Sequence, residues 1–124
     1  MHKDRLGKLK AGPVWDFDYL TFVSHNAYAA QRHIYYARLL TDPSFVALVK
    51  ERWNSLKPAF QTIPEYIRTK AETIRTSNDI NIRLWPITLT TNGDEALSFD
   101  EAIDRMVKTY EDRLECLESK INAM

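Results

Sequence analysis

Residues 98–121, SFDEAIDRMVKTYEDRLECLESKI, contain the clearest secondary-structure signal in this chain. They open with a capping box, in which Ser98 is the N-cap and Glu101 stands three residues later. Apolar residues then recur at steps of four and three, the spacing that places side chains on one face of an α-helix: Phe99, Ile103, Met106, Tyr110, Leu114, Leu117 and Ile121. The stretch therefore predicts a long amphipathic helix whose apolar face needs cover.

The apolar seam of this helix has two interpretations. It spans about three heptads, which is long enough for a homo-oligomeric coiled coil. A helix that packs on the preceding helices of the same chain has the same pattern. We favour packing within the chain, because the other predicted helices also need to be covered.

Two helices are predicted on either side of a Thr-Asp-Pro sequence. Residues 27–40 form the first, and Thr41 or Asp42 ends it and caps the second, with Pro43 in the first turn. Pro58 is expected to begin another turn. The first helix places Ile34, Ala37 and Leu40 on one face, and the second carries an apolar face of Phe45, Val46, Val49, Trp53 and Leu56.

A further helix is predicted from Pro64 to about Ser77, with residues 78–84 as a candidate extension that Trp85-Pro86 would end. Its inward residues are Ile67, Ala71 and Ile74. The fold class is therefore mainly α, with four to five packed helices. Six side chains are expected to be largely buried: Leu39, Phe45, Trp53, Ile67, Ile103 and Tyr110.

Composition limits the classes of function. Residues 1–124 are long enough for one helical domain or a piece of a larger one. The 17 basic and 17 acidic residues balance, which argues against a nucleic-acid partner. No apolar stretch is long enough for a membrane span, and no signal peptide is recognised. Cys116 is the only cysteine, so it is expected to be a buried structural thiol outside any intrachain disulfide.

The two ends of the chain differ in charge. Residues 1–10 carry four bases and one acid, whereas residues 94–124 carry nine acids and four bases. The basic start and the acidic end are expected to pair within the molecule. A basic segment that faces a polyanion, such as nucleotide phosphate, is the alternative.

A short apolar run near the N-terminus carries two carboxylates. Residues 3–15 are predicted to form a hairpin, with Gly7 at its turn. In the run Gly12-Pro13-Val14-Trp15-Asp16-Phe17-Asp18, the two aspartates stand two residues apart. If the run is extended, both carboxylates point to the same face, where a divalent cation would relieve their repulsion. Mg²⁺ is such a cation, and a helix cap at Asp16 or Asp18 is the equally weighted alternative.

This run and a second one resemble the CotH family of kinase-like spore-coat proteins. Residues 3–18 resemble the family's basic hairpin and its Gly-Pro-hydrophobic-Trp-Asp-hydrophobic-Asp signature. Residues 36–54, with Arg38-Leu39-Leu40-Thr41-Asp42-Pro43 and then Lys50-Glu51-Arg52-Trp53, resemble its second conserved segment. The resemblance covers residues 3–60. Beyond residue 60 it rests on helical character alone.

The resemblance implies part of the C-terminal lobe of a protein kinase. CotH-like proteins bind ATP and Mg²⁺ and phosphorylate protein hydroxyls. The resemblance assigns Asp16 to the position of the metal-binding Asp of kinases, with Asp18 completing the metal site. Trp15 and Phe17 would pack around them. Lys10 is the candidate for contact with nucleotide phosphate, and a solvated hairpin edge is the alternative for this lysine.

The same resemblance leaves this chain without catalytic residues of its own. A kinase places its phosphate-covering loop, its phosphate-binding Lys and its acceptor-positioning Asp before the metal-binding Asp. Only 15 residues precede Asp16. Residues 1–124 are therefore expected to be the C-terminal fragment of a larger kinase-like domain and to be inactive alone. The family suggests a bacterial surface, secreted or spore-coat location.

A non-catalytic interaction or oligomerisation module is the alternative function. In that interpretation Asp16 and Asp18 are helix caps, and the terminal helix contacts a partner. A kinase parent would have a protein substrate as its partner. Self-association is expected either through the terminal helix or through an apolar patch that the missing lobe would leave uncovered: Phe17, Tyr19, Phe22 and Tyr28.

Overall fold

The structure, a computed structural model, describes residues 2–8, 10, 12, 34–86 and 97–124. These residues hold four helices: α1 (Ile34–Leu39), α2 (Pro43–Phe60), α3 (Ile63–Leu84) and α4 (Phe99–Asn122). The predicted mainly α fold is confirmed. The first seven residues of the predicted helix 27–40 lie outside the described part, as do residues 87–96.

The predicted N-terminal hairpin is described only in part. The amide of His2 donates to the carbonyl of Lys10 at 3.0 Å, and the amide of Lys10 donates to the carbonyl of His2 at 2.9 Å. Between them, the amide of Gly7 donates to the carbonyl of Asp4 at 3.0 Å, which makes a turn. The described residues of this segment thus form one isolated antiparallel bridge and no β-strand.

Helix α4 begins at the predicted capping box. The Ser98 Oγ accepts the amide of Glu101 at 3.3 Å, and the Glu101 carboxylate accepts the amide of Ser98 at 2.8 Å. These reciprocal bonds satisfy two amides that a helix start leaves without partners. The helix then runs for 24 residues, which is about 36 Å.

Helix α2 begins as the sequence predicts and ends later. The Asp42 carboxylate accepts the amide of Ser44 at 2.8 Å, and Pro43 occupies the first turn. The predicted turn at Pro58 is wrong, because α2 continues through this proline to Phe60. Pro58 removes one hydrogen bond, to Asn54. The ring of Phe60 packs 5.7 Å from the ring of Trp53, which favours the helical continuation.

Helix α3 follows α2 in the same direction. The two linking residues, Gln61 and Thr62, both keep right-handed helical backbone angles, with φ of −67° and −85°. The chain therefore bends at this junction without turning back. The predicted extension over residues 78–84 is confirmed, since α3 ends at Leu84 with Trp85 as its C-cap.

Helix α4 lies antiparallel along both α2 and α3. In its C-terminal half, Asn122 contacts Lys50 and Glu118 pairs with Lys57. In its N-terminal half, Asp104 pairs with Arg68 and Asp100 pairs with Arg75, both at 2.8 Å. Residue numbers rise along α2 and α3 while they fall along α4. The result is a long helical hairpin in which one helix spans two helices placed end to end, as expected for packing within the chain.

The core of this hairpin is one layer deep. Its buried apolar residues among those described are Trp53, Ala71, Val107 and Ile121, each of which keeps 4–6% of its surface exposed. The predicted burial of Trp53 is confirmed at 6% exposure. The other predicted core residues are half-buried, apart from Leu39: Phe45, Ile67, Ile103 and Tyr110.

Two predicted core positions are wrong. Leu39 is 42% exposed, because it lies on α1, a helix of six residues that has no buried residue. Ile74 is 51% exposed, although Ala71 on the same helix is buried. Ile74 lies one step around α3 from Ala71, at the edge of the face that α4 covers. A helix that is covered on one side only leaves such edge residues in solvent.

Candidate functional site

The predicted metal and phosphate ligands are described in part. Asp16 and Asp18 lie outside the described residues, as does the apolar patch expected at Phe17, Tyr19, Phe22 and Tyr28. Lys10 is described, with its backbone paired to His2 and its side chain exposed. The predicted site of Asp16, Asp18 and Lys10 therefore stays a prediction. The described residues contain no group of three or more His, Cys, Asp or Glu that would hold a metal ion.

The second family-like segment has structural roles in this fold. Asp42 caps α2, and Pro43 occupies its first turn. Trp53 lies in the core between α2 and α4, while Arg52 is exposed. The indole Nε1 of Trp53 is buried without a hydrogen-bond partner. Helix capping and packing therefore account for three of these four residues.

A polar groove of about 440 Å³ lies between α3 and the start of α4. At its centre, Arg75 donates to Glu72 at 2.6 Å and to Asp100 at 2.8 Å, and its guanidinium lies 5.1 Å from the ring of Phe99. Hydrogen bonds from Arg75 lower the pKa of Glu72 and of Asp100. Both carboxylates are thus paired with Arg75. The groove is therefore lined by an ion-pair cluster that joins α3 to α4.

A second groove, of about 640 Å³, lies at the end of the hairpin where α3 ends and α4 begins. Ile82, Phe99 and Ala102 contribute apolar surface, and Asp79 and Arg83 lie at its edge. Pro86 and Leu97 also line it, and residues 87–96 between them are outside the described part of the chain. Cys116 lies away from both grooves, half-buried on α4.

The exposed side of α3 carries a regular pattern that the sequence reasoning missed. Six exposed residues follow one another at steps of four and three, and we call them the outer face of α3: Tyr66, Lys70, Thr73, Ser77, Ile80 and Leu84. Tyr66 is 57% exposed, Ile80 is 45% exposed and Leu84 is 62% exposed. The six positions share one side of α3, and three of them are large apolar residues.

Charge is distributed unusually around α3. On the outer face, Lys70 is the single charged residue, and its ammonium lies 5.6 Å from the ring centroid of Tyr66. Other charged residues of α3 lie towards α4, where Arg68 and Arg75 bind carboxylates. A solvent-facing helix side normally holds the charges and the partner-facing side the apolar residues. The outer face of α3 therefore has exposed apolar residues at its two ends and Lys70 as its one charge.

Comparisons with known proteins return nothing for this chain. No family model, no curated protein and no solved structure matches it. Among the described helices, none has the length and apolar character needed to cross a membrane.

Proposed function

We propose that this chain acts through protein–protein contacts, with the outer face of α3 as its contact surface. The observation that carries this proposal is the exposure of Tyr66, Ile80 and Leu84 on the side of α3 that faces away from α4. These side chains lie at the two ends of the outer face, with Lys70, Thr73 and Ser77 between them. Exposed apolar surface that is bordered by polar residues marks interaction sites.

The proposal is supported by the edges of the same surface. Ile74 borders the outer face at 51% exposure, and Trp85 follows its last residue at 68% exposure. Large aromatic side chains such as Tyr66 and Trp85 are enriched in protein interfaces, where they supply buried area. Burial of these side chains against a helical partner would remove apolar surface from water without disturbing the ion pairs to α4.

Site-specific photo-crosslinking tests the proposed contact surface. A benzoylphenylalanine at Ile80 is expected to form protein adducts in the source cells, and one at Leu48 serves as the matched control. Leu48 is also an exposed leucine-sized position on a helix, at 58% exposure, but it is remote from the outer face of α3. Adducts that form equally at both positions, or at neither, would contradict the proposal.

A second candidate function is that of a CotH-like kinase segment, and the sequence motifs favour it. In this proposal the chain supplies Asp16 and Asp18 as ligands of Mg²⁺ in a larger parent that uses ATP to phosphorylate protein hydroxyls. Mg²⁺ would neutralise charge on the transferred phosphoryl group. Lys10 would lie near the nucleotide phosphates, and the helices would belong to a kinase-like C-terminal lobe. A surface, secreted or spore-coat location belongs to the same proposal.

Substitution of the aspartates tests the kinase proposal in the full-length parent. Asp16→Asn is expected to abolish Mg²⁺-dependent phosphoryl transfer, because an amide does not neutralise the metal as a carboxylate does. Asp18→Asn is expected to weaken it. Asp42→Asn is a control, since it changes an aspartate that caps α2. Undiminished transfer by the Asp16→Asn parent would end the metal assignment.

A metal titration of the isolated chain supplies a readout that does not need activity. Two carboxylates without nucleotide phosphates leave Mg²⁺ mostly hydrated, so weak binding is expected. NMR signals of residues 16–18 would report it. Tight, stoichiometric binding would contradict the assignment of these residues to half of a nucleotide-dependent site.

A further inference from the structure

Different polar contacts hold α2 and α3 on α4. Those of α2 lie on the C-terminal half of α4, at the carbonyl of Asn122 and the carboxylate of Glu118. Those of α3 lie on its N-terminal half, at the carboxylates of Asp104 and Asp100. The helical hairpin therefore has two halves with separate contacts, and the continuous helix α4 joins them.

We propose that α2 opens from α4 by rotation about Gln61 and Thr62, while α3 stays packed on α4. In the closed conformation, which the structure shows, the hydroxyl of Tyr110 holds α2 in place. This conformational change goes beyond the proposed contact function and does not depend on the outer face of α3.

Gln61 and Thr62 have the properties of a hinge. Both residues are exposed, and they link two helices that each contact α4. The Thr62 hydroxyl donates to the carbonyl of Ala59 at 2.8 Å, so it does not cap α3. Hinges are commonly a few residues at the ends of secondary-structure elements, whose φ and ψ angles absorb the rotation. A change at these two residues turns α2 without breaking the hydrogen bonds inside either helix.

Tyr110 holds this hinge from the middle of α4. Its hydroxyl donates to the carbonyl of Phe60, the last residue of α2, at 2.9 Å. Pro64 has no N–H that could bind this carbonyl in the manner of a continuous helix. Opening of α2 breaks the bond from Tyr110 and leaves the Phe60 carbonyl to water. The bond therefore adds to the free energy that opening requires.

The α2 half also contains a polar group that opening satisfies. Trp53, the buried residue of α2, is 6% exposed, and its indole Nε1 has no hydrogen-bond partner in the closed conformation. A buried donor without an acceptor destabilises the conformation that buries it, and water accepts this N–H once α2 opens. Ala71, the buried residue of α3, has no polar side-chain atom. Opening at α2 therefore gains a hydrogen bond that opening at α3 does not, which makes α2 the helix that moves.

Distances between spin labels test this motion. Labels at Ser44 and Ser119 span α2 and α4, and labels at Ser77 and Ser119 span α3 and α4. All three serines are exposed, and Cys116→Ser removes the native thiol. Double electron–electron resonance is expected to show a minor, longer distance for the first pair and a single distance for the second. Tyr110→Phe is expected to raise the ratio of open to closed chains about tenfold, as for the loss of a hydrogen bond that leaves its acceptor unsatisfied.

Tyr66→Phe is the matched control, because it removes the hydroxyl of an exposed tyrosine, and it is expected to leave both distances unchanged. A single Ser44–Ser119 distance that Tyr110→Phe does not alter would overturn the inference. Equal broadening of the Ser44–Ser119 and Ser77–Ser119 distances would also overturn it, because that result indicates a loosening of the whole hairpin.

Hydrogen exchange measured by NMR tests the opening in the wild-type chain. The indole N–H of Trp53 is expected to exchange faster than the backbone amide of Ala71, and its rate is expected to depend less on urea. The reason is that opening of α2 exposes less surface than unfolding of the whole chain does. Equal rates with equal urea dependence would show that Trp53 is exposed only by global unfolding, and would overturn the inference.

Discussion

The hydroxyl of Tyr110 on α4 donates to the carbonyl oxygen of Phe60 at 2.9 Å, at the junction between α2 and α3. That carbonyl is the one that Pro64 leaves without its helical donor, because a proline four residues later has no N–H. Tyr110 thus supplies from another helix the hydrogen bond that the local sequence removes. The bond ties the bend between two helices to the helix that spans them.

Tyr110→Phe is expected to destabilise the fold by about 1–3 kcal/mol, the effect of leaving a half-buried carbonyl without its donor. Urea unfolding followed by circular dichroism measures it. Tyr66→Phe removes the same hydroxyl from an exposed tyrosine and is expected to change stability by less than about 0.5 kcal/mol. Equal effects of the two variants would contradict the role assigned to Tyr110.

Pro64→Ala should reduce the loss of stability that Tyr110→Phe causes. Alanine restores an N–H that can bond to the Phe60 carbonyl, so Tyr110→Phe should destabilise a Pro64→Ala chain less than it destabilises the wild type. A double-mutant cycle of the four proteins measures this coupling. Strict additivity of the two substitutions would show that Pro64 and Tyr110 do not share an acceptor.

Trp53→Ala is expected to destabilise the chain by about 3–5 kcal/mol, as for truncation of a large buried aromatic side chain. Trp53→Phe is expected to have a smaller effect, because it keeps a ring against Phe60 and removes an indole N–H that is buried without a partner. Thermal and urea unfolding measure both variants. A loss below about 0.5 kcal/mol for Trp53→Ala would show that the packing between α2 and α4 is wrongly assigned.

Ser98→Ala is expected to destabilise the chain by about 1 kcal/mol, because it removes the oxygen that caps α4. Ser119→Ala, at an exposed position near the other end of the same helix, is the matched control and is expected to be neutral or slightly stabilising. Urea midpoints of the two variants measure the difference. A Ser98→Ala variant as stable as the Ser119→Ala variant would contradict the cap.

The ion pairs of Arg75 predict a pH dependence with a defined sign. Hydrogen bonds from Arg75 lower the pKa of Asp100 below 3.8 and that of Glu72 below 4.5. Groups with a lowered pKa in the folded state stabilise it above their unfolded-state pKa, and this stability is lost as the pH falls through the folded-state value. Arg75→Gln is therefore expected to lower the urea midpoint at pH 7 and to have progressively less effect below pH 4.5. If Arg75→Gln lowers the urea midpoint as much below pH 4.5 as it does at pH 7, these carboxylates are not the cause of the effect.

The sequence predicts those elements whose signals are local. The caps at Asp42 and Ser98 involve residues within three positions of each other, and the structure has both. The seam of α4 is equally local, because one helix face repeats along one stretch of chain. Tertiary packing is needed only to say what covers that seam.

The failures have long-range causes. Pro58 predicts a turn at the end of a helix, but the contact between Phe60 and Trp53 favours the continuation of α2. Leu39 and Ile74 stand at the spacing of an apolar helix face, which predicts burial. Both are exposed, because they lie outside the side of each helix that the hairpin covers. The hydrogen bond that ties the junction of α2 and α3 to α4 joins Tyr110 to Phe60, which are 50 residues apart in sequence. Periodicity alone does not contain that information.

Site-specific photo-crosslinking at a second position tests the central claim, that the outer face of α3 is a contact surface, most directly. A benzoylphenylalanine at Leu84, which is 62% exposed on that face, is expected to form protein adducts, whereas one at Leu48, which is 58% exposed on α2, is not. Adducts that form equally at both positions, or at neither, would contradict the claim.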